Sequence, residues 1–172
     1  MEELFLVVAS PKYRNEIMDY RKAFDGIICG SSDLDQFDNL DDWFTKLAIY
    51  ADKCRCPKDK VMATQYLCIR KSDGIIVGML NFRHELNEYL LNFGGHIGYS
   101  VKPCERRRGY ATKQLQLALL KAKELGLKQV LLTCDVDNIA SEKTIINGGG
   151  QYINTVHNEH NNKDTKRFWI ML

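Results

Sequence analysis

Short apolar runs, separated by turn residues, pattern the first third of this chain. Residues 4–8 are an apolar run typical of a strand. Ser10 and Pro11 then suit a helix start, and apolar residues recur at helical spacing to about residue 24. A second helical pattern covers residues 34–51. The pattern therefore predicts a strand followed by two helices.

A hairpin and a further strand follow. Residues 64–70 and 75–82 are apolar runs on either side of Lys71-Ser72-Asp73-Gly74, a tetrad that favours a tight turn between antiparallel strands. Residues 87–92 suggest a loop or a short helical turn. Residues 94–101 then predict the next strand.

The last third predicts a helix, a buried strand, a short helix and a terminal hairpin. The long helix begins near Ala111 and ends at Gly126, with apolar side chains on one face. The elements after it are the strand 129–134, the helix 140–146, and the hairpin arms 151–156 and 167–171 around the loop 157–164. Strand, helix and strand around the long helix form a right-handed βαβ unit. The whole order predicts a single α/β domain over residues 1–172, with a mixed, mostly antiparallel central sheet flanked by helices.

Composition and charge narrow the class of protein. The chain has 172 residues, of which 45% are hydrophobic and 27% charged, and its net charge is +2. These values are ordinary for a soluble globular domain and provide no general attraction to nucleic acid. The apolar runs are too short to span a bilayer, and acids stand at Glu2 and Glu3, where a secretory signal would carry basic residues. We expect a cytoplasmic protein that binds neither nucleic acid nor membrane.

The six cysteines show no spacing typical of a disulfide framework, so reduced thiols are expected. Cys54 and Cys56 form a pair that could ligate a metal. No second Cys/His pair stands at zinc spacing, and one ion needs about four ligands. We therefore expect no metal site.

A basic turn before the long helix is the strongest chemical signal. It has the sequence Arg106-Arg107-Arg108-Gly109-Tyr110-Ala111-Thr112. The first N–H groups of a helix lack intrahelical acceptors, and a glycine lets backbone approach an anion closely. A solvated turn is the alternative, but cations at the positive end of a helix dipole are unfavourable without an anion. The turn therefore predicts a pyrophosphate site.

The spacing Arg-x-x-Gly-x-Ala in this turn resembles the phosphate-binding loop of the GNAT acetyltransferases. The segment Asn138-Ile139-Ala140-Ser141, one helix and one strand later, resembles a second motif of that family. Residues 83–87, 94–99 and 138–150 look like those of an uncharacterised bacterial branch of predicted acetyltransferases. The resemblance implies the GNAT fold and acetyl-CoA as co-substrate. In addition to the basic turn, it implies cofactor contacts at Tyr99, Ser100, Val101, Asn138 and Ser141, although capping a helix is the commonest role of an Asn such as Asn138.

The resemblance also implies transfer of an acetyl group to a primary amine of a small molecule or peptide. Many relatives use a Glu near residue 96 as the base; this chain has His96, whose pKa would suit the task. His84 and Glu85 are the other candidates. The Tyr that protonates the leaving thiolate in many relatives is replaced by Ile145, which leaves water, Ser141 or Tyr152 for that step.

Several alternatives stay open at this point. The missing Tyr is compatible with a non-catalytic acyl-CoA-binding domain, and the arginine cluster with an RNA- or phosphate-binding module, although no aromatic-rich basic face accompanies it. Aspartates between residues 33 and 42 could face an ammonium-bearing acceptor, but Asp33 or Asp35 could simply cap the second helix. The terminal hairpin is compatible with a homodimer.

Overall fold

A computed structural model describes residues 2–159 and 161–172; Met1 of the expected 1–172 domain and His160 of the expected 157–164 loop lie outside these ranges. The first strand is β1 (Leu4–Val8), as the sequence predicts. A 3-10 turn at Pro11–Tyr13 leads into helix α1 (Arg14–Lys22). The second helical region is divided into a 3-10 turn (Leu34–Gln36) and helix α2 (Leu40–Tyr50).

The predicted hairpin is confirmed. It consists of β2 (Ala63–Arg70) and β3 (Ile76–Arg83), and Gly74 adopts φ 75° in the turn between them. A π-helical turn (Leu90–Gly94) precedes β4 (Ile97–Val101). All neighbours in this sheet are antiparallel, in the order β1-β2-β3-β4.

The remaining elements form a second sheet and two helices. They are α3 (Tyr110–Glu124), β5 (Gln129–Asp135), α4 (Ile139–Asn147), β6 (Gln151–Asn158) and β7 (Lys163–Met171). The second sheet has the order β5-β7-β6 and is also antiparallel. The expected terminal hairpin is confirmed, with strands that extend into the predicted loop. The α/β fold class is confirmed.

The two sheets meet at one point. The backbone N–H of His96 donates to the carbonyl oxygen of Leu131 at 2.8 Å, and the N–H of Leu131 donates to the imidazole Nδ1 of His96 at 2.9 Å. Beyond this contact, β4 pairs with β3 and β5 pairs with β7 within the described residues. The expected single central sheet is therefore two sheets that part after His96. A side chain takes the place of a backbone acceptor there, which ends the ladder between β4 and β5.

A shared core holds the two sheets and α3 together. Leu115, Ala118 and Ala122 on α3 are fully buried against side chains from both sheets. A second core lies between α1, α2 and the first sheet, and contains Tyr20 and Trp43. All six cysteines are free thiols, and Cys68 and Cys134 are buried in their strands. The core leaves a space between β4 and α4 where a site can form.

Candidate active site

The basic turn forms an anion-binding backbone at the start of α3. Arg107 and Gly109 both adopt left-handed backbone angles, with φ 61° and 78°. The first bond into the helix runs from the N–H of Lys113 to the carbonyl oxygen of Gly109 at 3.1 Å. The N–H groups of Tyr110, Ala111 and Thr112 therefore lie in the first turn, where no intrahelical acceptor serves them. Such a turn is suited to phosphate.

Buried charges fix one side of this turn. The carboxylate of Glu105, which is 8% exposed, accepts hydrogen bonds from Arg70 Nη1 at 2.7 Å and lies 3.2 Å from Arg108 Nη1. Arg70 also pairs with Asp73 in the β2–β3 turn. Arg108 therefore compensates Glu105. Arg106 donates from Nε to the carbonyl oxygen of Val101 at 3.2 Å.

A cavity of about 480 Å³ lies above this turn, in the gap between β4 and α4. We call it the cofactor cavity. Almost every cofactor contact implied by the sequence lines it: Tyr99, Ser100, Val101, Arg106, Arg107, Gly109, Tyr110, Ala111, Thr112, Asn138 and Ser141. Arg108 does not, because it turns to Glu105. Asn138 caps α4 by accepting the N–H of Ser141 at 3.1 Å.

A phenol enters the cofactor cavity from β4. The hydroxyl of Tyr99 lies 2.9 Å from Ser141 Oγ, and burial raises its pKa, so the phenol stays protonated at neutral pH. Ile145, at the position of the usual Tyr, is fully buried in the core. The resemblance implied a cofactor contact at Tyr99 but no role for its hydroxyl. The alternation of side chains along a strand could have identified it, since alternation places Tyr99 on the same face of β4 as Ile97.

A second cavity of about 340 Å³ adjoins the first, and we call it the acceptor cavity. Ile27 and Cys29 line both cavities. Gly30, at φ 68°, packs so closely on β4 that a methyl group on it would lie 2.2 Å from the carbonyl oxygen of Gly98. The loop around Gly30 therefore forms a wall between the two cavities.

Hydrogen bonds from the first sheet hold this loop. The side-chain amide of Asn81 donates to Ser32 Oγ at 2.9 Å, and Ser32 Oγ donates to Gln65 Oε1 at 2.7 Å. Gln65 Nε2 donates in turn to the carbonyl oxygen of Gly30 at 2.9 Å. Ser32 and Asp33 have φ 54° and 62°, which is unfavourable for residues with a side chain. Sequence reasoning did not identify this network, because its members lie on three separate elements.

The structure does not bring the three proposed catalytic residues into either cavity. His96 is 6% exposed, its Nδ1 accepts the N–H of Leu131, and burial lowers its pKa to about 4. His84 lies with Nε2 2.8 Å from Thr64 Oγ1, and burial lowers its pKa as well. Glu85 is exposed and lines neither cavity. These contacts favour a structural role for His96 and do not support the prediction that it is the base.

Two further predictions concern the alternative proton donor Tyr152 and the residue that caps α2. Tyr152 is exposed, and its hydroxyl bonds Thr155 Oγ1 at 2.9 Å. The N-cap of α2 is Asn39, which accepts the N–H of Asp41, so the expected cap at Asp33 or Asp35 is wrong. Asn39 directly precedes the first helical residue of α2, whereas Asp35 lies in the separate 3-10 turn and Asp33 stands at the N-cap position of that turn without a side-chain capping bond.

Two negative findings concern the described parts of the chain. Within residues 2–159 and 161–172, no helix has the length and apolar character needed to cross a membrane. Across the same ranges, no three His, Cys, Asp or Glu side chains are grouped as metal ligands, and Cys54 and Cys56 belong to no such group.

Comparison with known families gives one match. Residues 16–151 match the sequence model of the acetyltransferase (GNAT) domain. No curated protein matches this chain as a relative.

Solved structures resemble the whole chain at low sequence identity. An acetyltransferase of the GNAT family from Bacillus anthracis is 19% identical, with a TM-score of 0.64 over 99% of this chain and 96% of its own. One from Streptococcus pneumoniae is 17% identical, with a TM-score of 0.65 over 99% of both chains. A chimera of the spermidine N-acetyltransferase SpeG from Vibrio cholerae and hSSAT is 16% identical, with a TM-score of 0.68 over 98% of this chain and 95% of its own. At these identities the likeness concerns the fold.

Proposed function

This chain belongs to the GNAT acetyltransferase family, a family of acyltransferase enzymes, and we propose that it transfers an acetyl group from acetyl-CoA to the primary amine of a small molecule. The observation that carries the proposal is the pair of adjoining cavities on opposite sides of the Gly30 loop. One presents a phosphate-binding turn, and the other has polar side chains. Two substrates could thus meet at the wall that both cavities share.

The residues of the cofactor cavity fit acetyl-CoA. A Cβ at Gly109 would meet no atom within 4 Å, so backbone there is open to a phosphate. The N–H groups of Tyr110, Ala111 and Thr112, with the side chains of Arg106 and Arg107, would hold the pyrophosphate. The backbone of Tyr99 to Val101 and the Asn138 side chain would hold the pantetheine arm.

Acetyl-CoA, when bound, supplies an acyl group activated as a thioester. The acceptor nitrogen forms a bond to the acetyl carbon, the carbon–sulfur bond breaks, and the sulfur leaves as a thiolate. We assign the proton that the thiolate needs to the Tyr99 hydroxyl. Its raised pKa keeps it protonated, and Ser141 orients it toward the cavity. Tyr99 would then replace the phenol that Ile145 cannot supply.

The acceptor must lose a proton before it attacks. An alkylammonium has a pKa near 10.4, so only about one in 2,500 is deprotonated at pH 7. The carboxylates that line the acceptor cavity are Asp33, which pairs with Lys46 at 2.5 Å, and Asp35, which accepts the N–H of Ile28 at 3.1 Å. We therefore assign the proton to solvent and expect activity to rise with pH toward the pKa of the acceptor.

The alternative is a non-catalytic acyl-CoA-binding domain, which is favoured by the buried Ile145 at the position of the usual Tyr. An assay of thiol release distinguishes the two functions. The protein is mixed with acetyl-CoA and a panel of amines, and free thiol is followed over time. We expect amine-stimulated release, and a Tyr99→Phe variant should lose about 100-fold in kcat because it removes the acid. CoA affinity by calorimetry should stay within about threefold, which is a change of less than 1 kcal/mol.

Two outcomes would contradict the proposal. Binding of acetyl-CoA without any amine-stimulated release would identify a binding domain. Full activity of Tyr99→Phe would remove Tyr99 from the mechanism. Ser141→Ala serves as a control, since it keeps the phenol and removes only its orienting partner, so a smaller loss is expected.

A further inference from the structure

Arg83, the last residue of β3, brings an unneutralised cation to the acceptor cavity. Its Nη1 donates to the carbonyl oxygens of Gly94 at 2.8 Å and Gly95 at 3.2 Å. Within the described chain, no carboxylate forms an ion pair with it, and burial lowers its pKa. Burying a charge is unfavourable unless an opposite charge compensates it. Arg83 is only partly buried, and both of its hydrogen bonds use Nη1, so within the described residues Nη2 is the atom left to bind an anion.

The acids around the cavity do not fill that place. Asp33 is the carboxylate that acts electrostatically on Arg83, but it is paired with Lys46 at 2.5 Å. Asp35 accepts the N–H of Ile28. Lys60, the third cation that lines this cavity beside Arg83 and Lys46, already has Asp59 at 3.3 Å. Arg83 is thus the cation in this cavity that lacks a counter-ion.

Arg83 also lies close to the shared wall. A methyl group on Gly98 would lie 3.2 Å from Arg83 Nη2 and 3.3 Å from the Cα of Gly30. Gly98 directly precedes Tyr99, which lines the cofactor cavity. An anion held by Arg83 would therefore lie beside the contact between Gly30 and Gly98, at the wall that the two cavities share.

On the basis of the acetyl transfer proposed above, we infer that the acceptor is a free amino acid whose α-carboxylate pairs with Arg83. Its α-amine, two bonds away from the carboxylate carbon, then faces the wall at Gly98, and the products are an N-acetyl amino acid and CoA. The buried amide of Asn81 lies in the same cavity, and its unused hydrogen-bonding groups are available to the substrate. A volume of about 340 Å³ is at the small end for ligand sites, which favours a free amino acid over a peptide. A polyamine would instead place a second ammonium beside Arg83, which is repulsive.

The first test compares matched substrates on the wild-type enzyme. Leucine is paired with isoamylamine and phenylalanine with phenethylamine, since each pair differs only by the carboxylate. Spermidine and the dipeptide leucyl-glycine complete the panel; the dipeptide moves the carboxylate away from the amine. We expect kcat/KM from thiol release to favour at least one amino acid over its decarboxylated partner by about tenfold or more. Equal or better turnover of the decarboxylated amines, of spermidine or of the dipeptide overturns the inference.

The second test uses charge variants of the same cavity. Arg83→Gln should bring the ratio within each pair to about threefold or less, whereas Lys60→Gln should leave it near the wild-type value because Lys60 is exposed and paired. Arg83→Lys keeps the charge and should retain part of the ratio. If Arg83→Gln fails to fold, Arg83→Lys and the wild-type ratios still decide. A uniform loss on both members of each pair would make Arg83 merely structural and overturn the inference.

A binding measurement separates this inference from the proposed function. N-acetyl-leucine and its decarboxylated analogue N-isopentylacetamide are titrated into the protein by calorimetry. Absence of amine-stimulated thiol release would overturn acetyl transfer. The carboxylate site would still stand if N-acetyl-leucine binds about tenfold more tightly than the analogue and Arg83→Gln removes that difference. If N-acetyl-leucine shows no preference over its analogue, the carboxylate site is overturned whatever the turnover.

Discussion

The cofactor cavity and the acceptor cavity adjoin, yet they are built in opposite ways. The cofactor cavity takes most of its binding groups from backbone, at one turn of seven consecutive residues and one strand edge. The acceptor cavity takes its groups from side chains such as Ser32, Asn81 and Arg83, on a loop and on β3. A backbone site needs particular conformations, which a local sequence can specify. A side-chain site needs distant residues brought together, which allows its specificity to change while the cofactor site stays the same.

The largest effect is expected at the Gly30 loop, which separates the two cavities. Ala at Gly30 would collide with backbone of Gly98, so β4 must shift, and we expect kcat/KM to fall by about 100-fold or more. Gly26→Ala is the matched control, because Gly26 also has a positive φ, of 101°, but a Cβ there meets nothing within 4 Å. Both variants carry backbone strain of about 1 kcal/mol or more, and the control at φ 101° carries at least as much as Gly30→Ala at φ 68°. Equal losses of activity in the two would show that contact with β4 is not the cause.

The contact between His96 and Leu131, where the two sheets meet, can be tested by pH. Because burial lowers the pKa of His96 from about 6.5 to about 4, the unfolded chain takes up the proton more readily. The stability from this group is full above pH 6.5, is lost as pH falls, and is gone below pH 4. We expect wild type to lose about 2 kcal/mol more than His96→Gln between pH 7.5 and pH 5 in urea unfolding. Gln keeps an acceptor for the N–H of Leu131 but does not titrate, so identical pH dependence would argue against the buried neutral imidazole.

The smallest expected effect separates two neighbouring arginines of the basic turn. Arg107 lines the cofactor cavity, whereas Arg108 pairs with Glu105. Arg107→Gln should weaken CoA binding about tenfold, or 1.4 kcal/mol, and Arg108→Gln by no more than about threefold. Calorimetry with CoA measures both. A larger loss for Arg108→Gln would mean that this side chain leaves Glu105 to bind phosphate.

Much of the fold was predictable because its signals are local. The β2–β3 turn, the run of β5 and the amphipathic α3 each depend on neighbouring residues, and the structure confirms them. The division of the expected central sheet was not predictable, since it depends on the side chain of His96 replacing a backbone acceptor of β5. A histidine in a strand gives no sign of that role.

The candidate site divides in the same way. The basic turn and Asn138 could be identified from motifs at fixed spacings in the sequence. In the structure, both line the same cavity. Catalytic residues were harder to identify, because the resemblance pointed to position 96 and to Ile145, and both are buried here. Tyr99 could have been found from strand alternation. The network of Ser32, Gln65 and Asn81 could not, because no spacing links a loop to two strands.

The pairing of Glu105 with Arg70 and Arg108 has a thermodynamic consequence for ligand binding. These contacts join the basic turn to the β2–β3 hairpin before any ligand arrives. The entropy of ordering the turn is therefore lost when the chain folds, and little remains to be lost on association. Association should proceed close to rigid docking, with an on-rate limited by diffusion and orientation rather than by loop closure. In this enzyme a buried carboxylate keeps the turn ready for a phosphate.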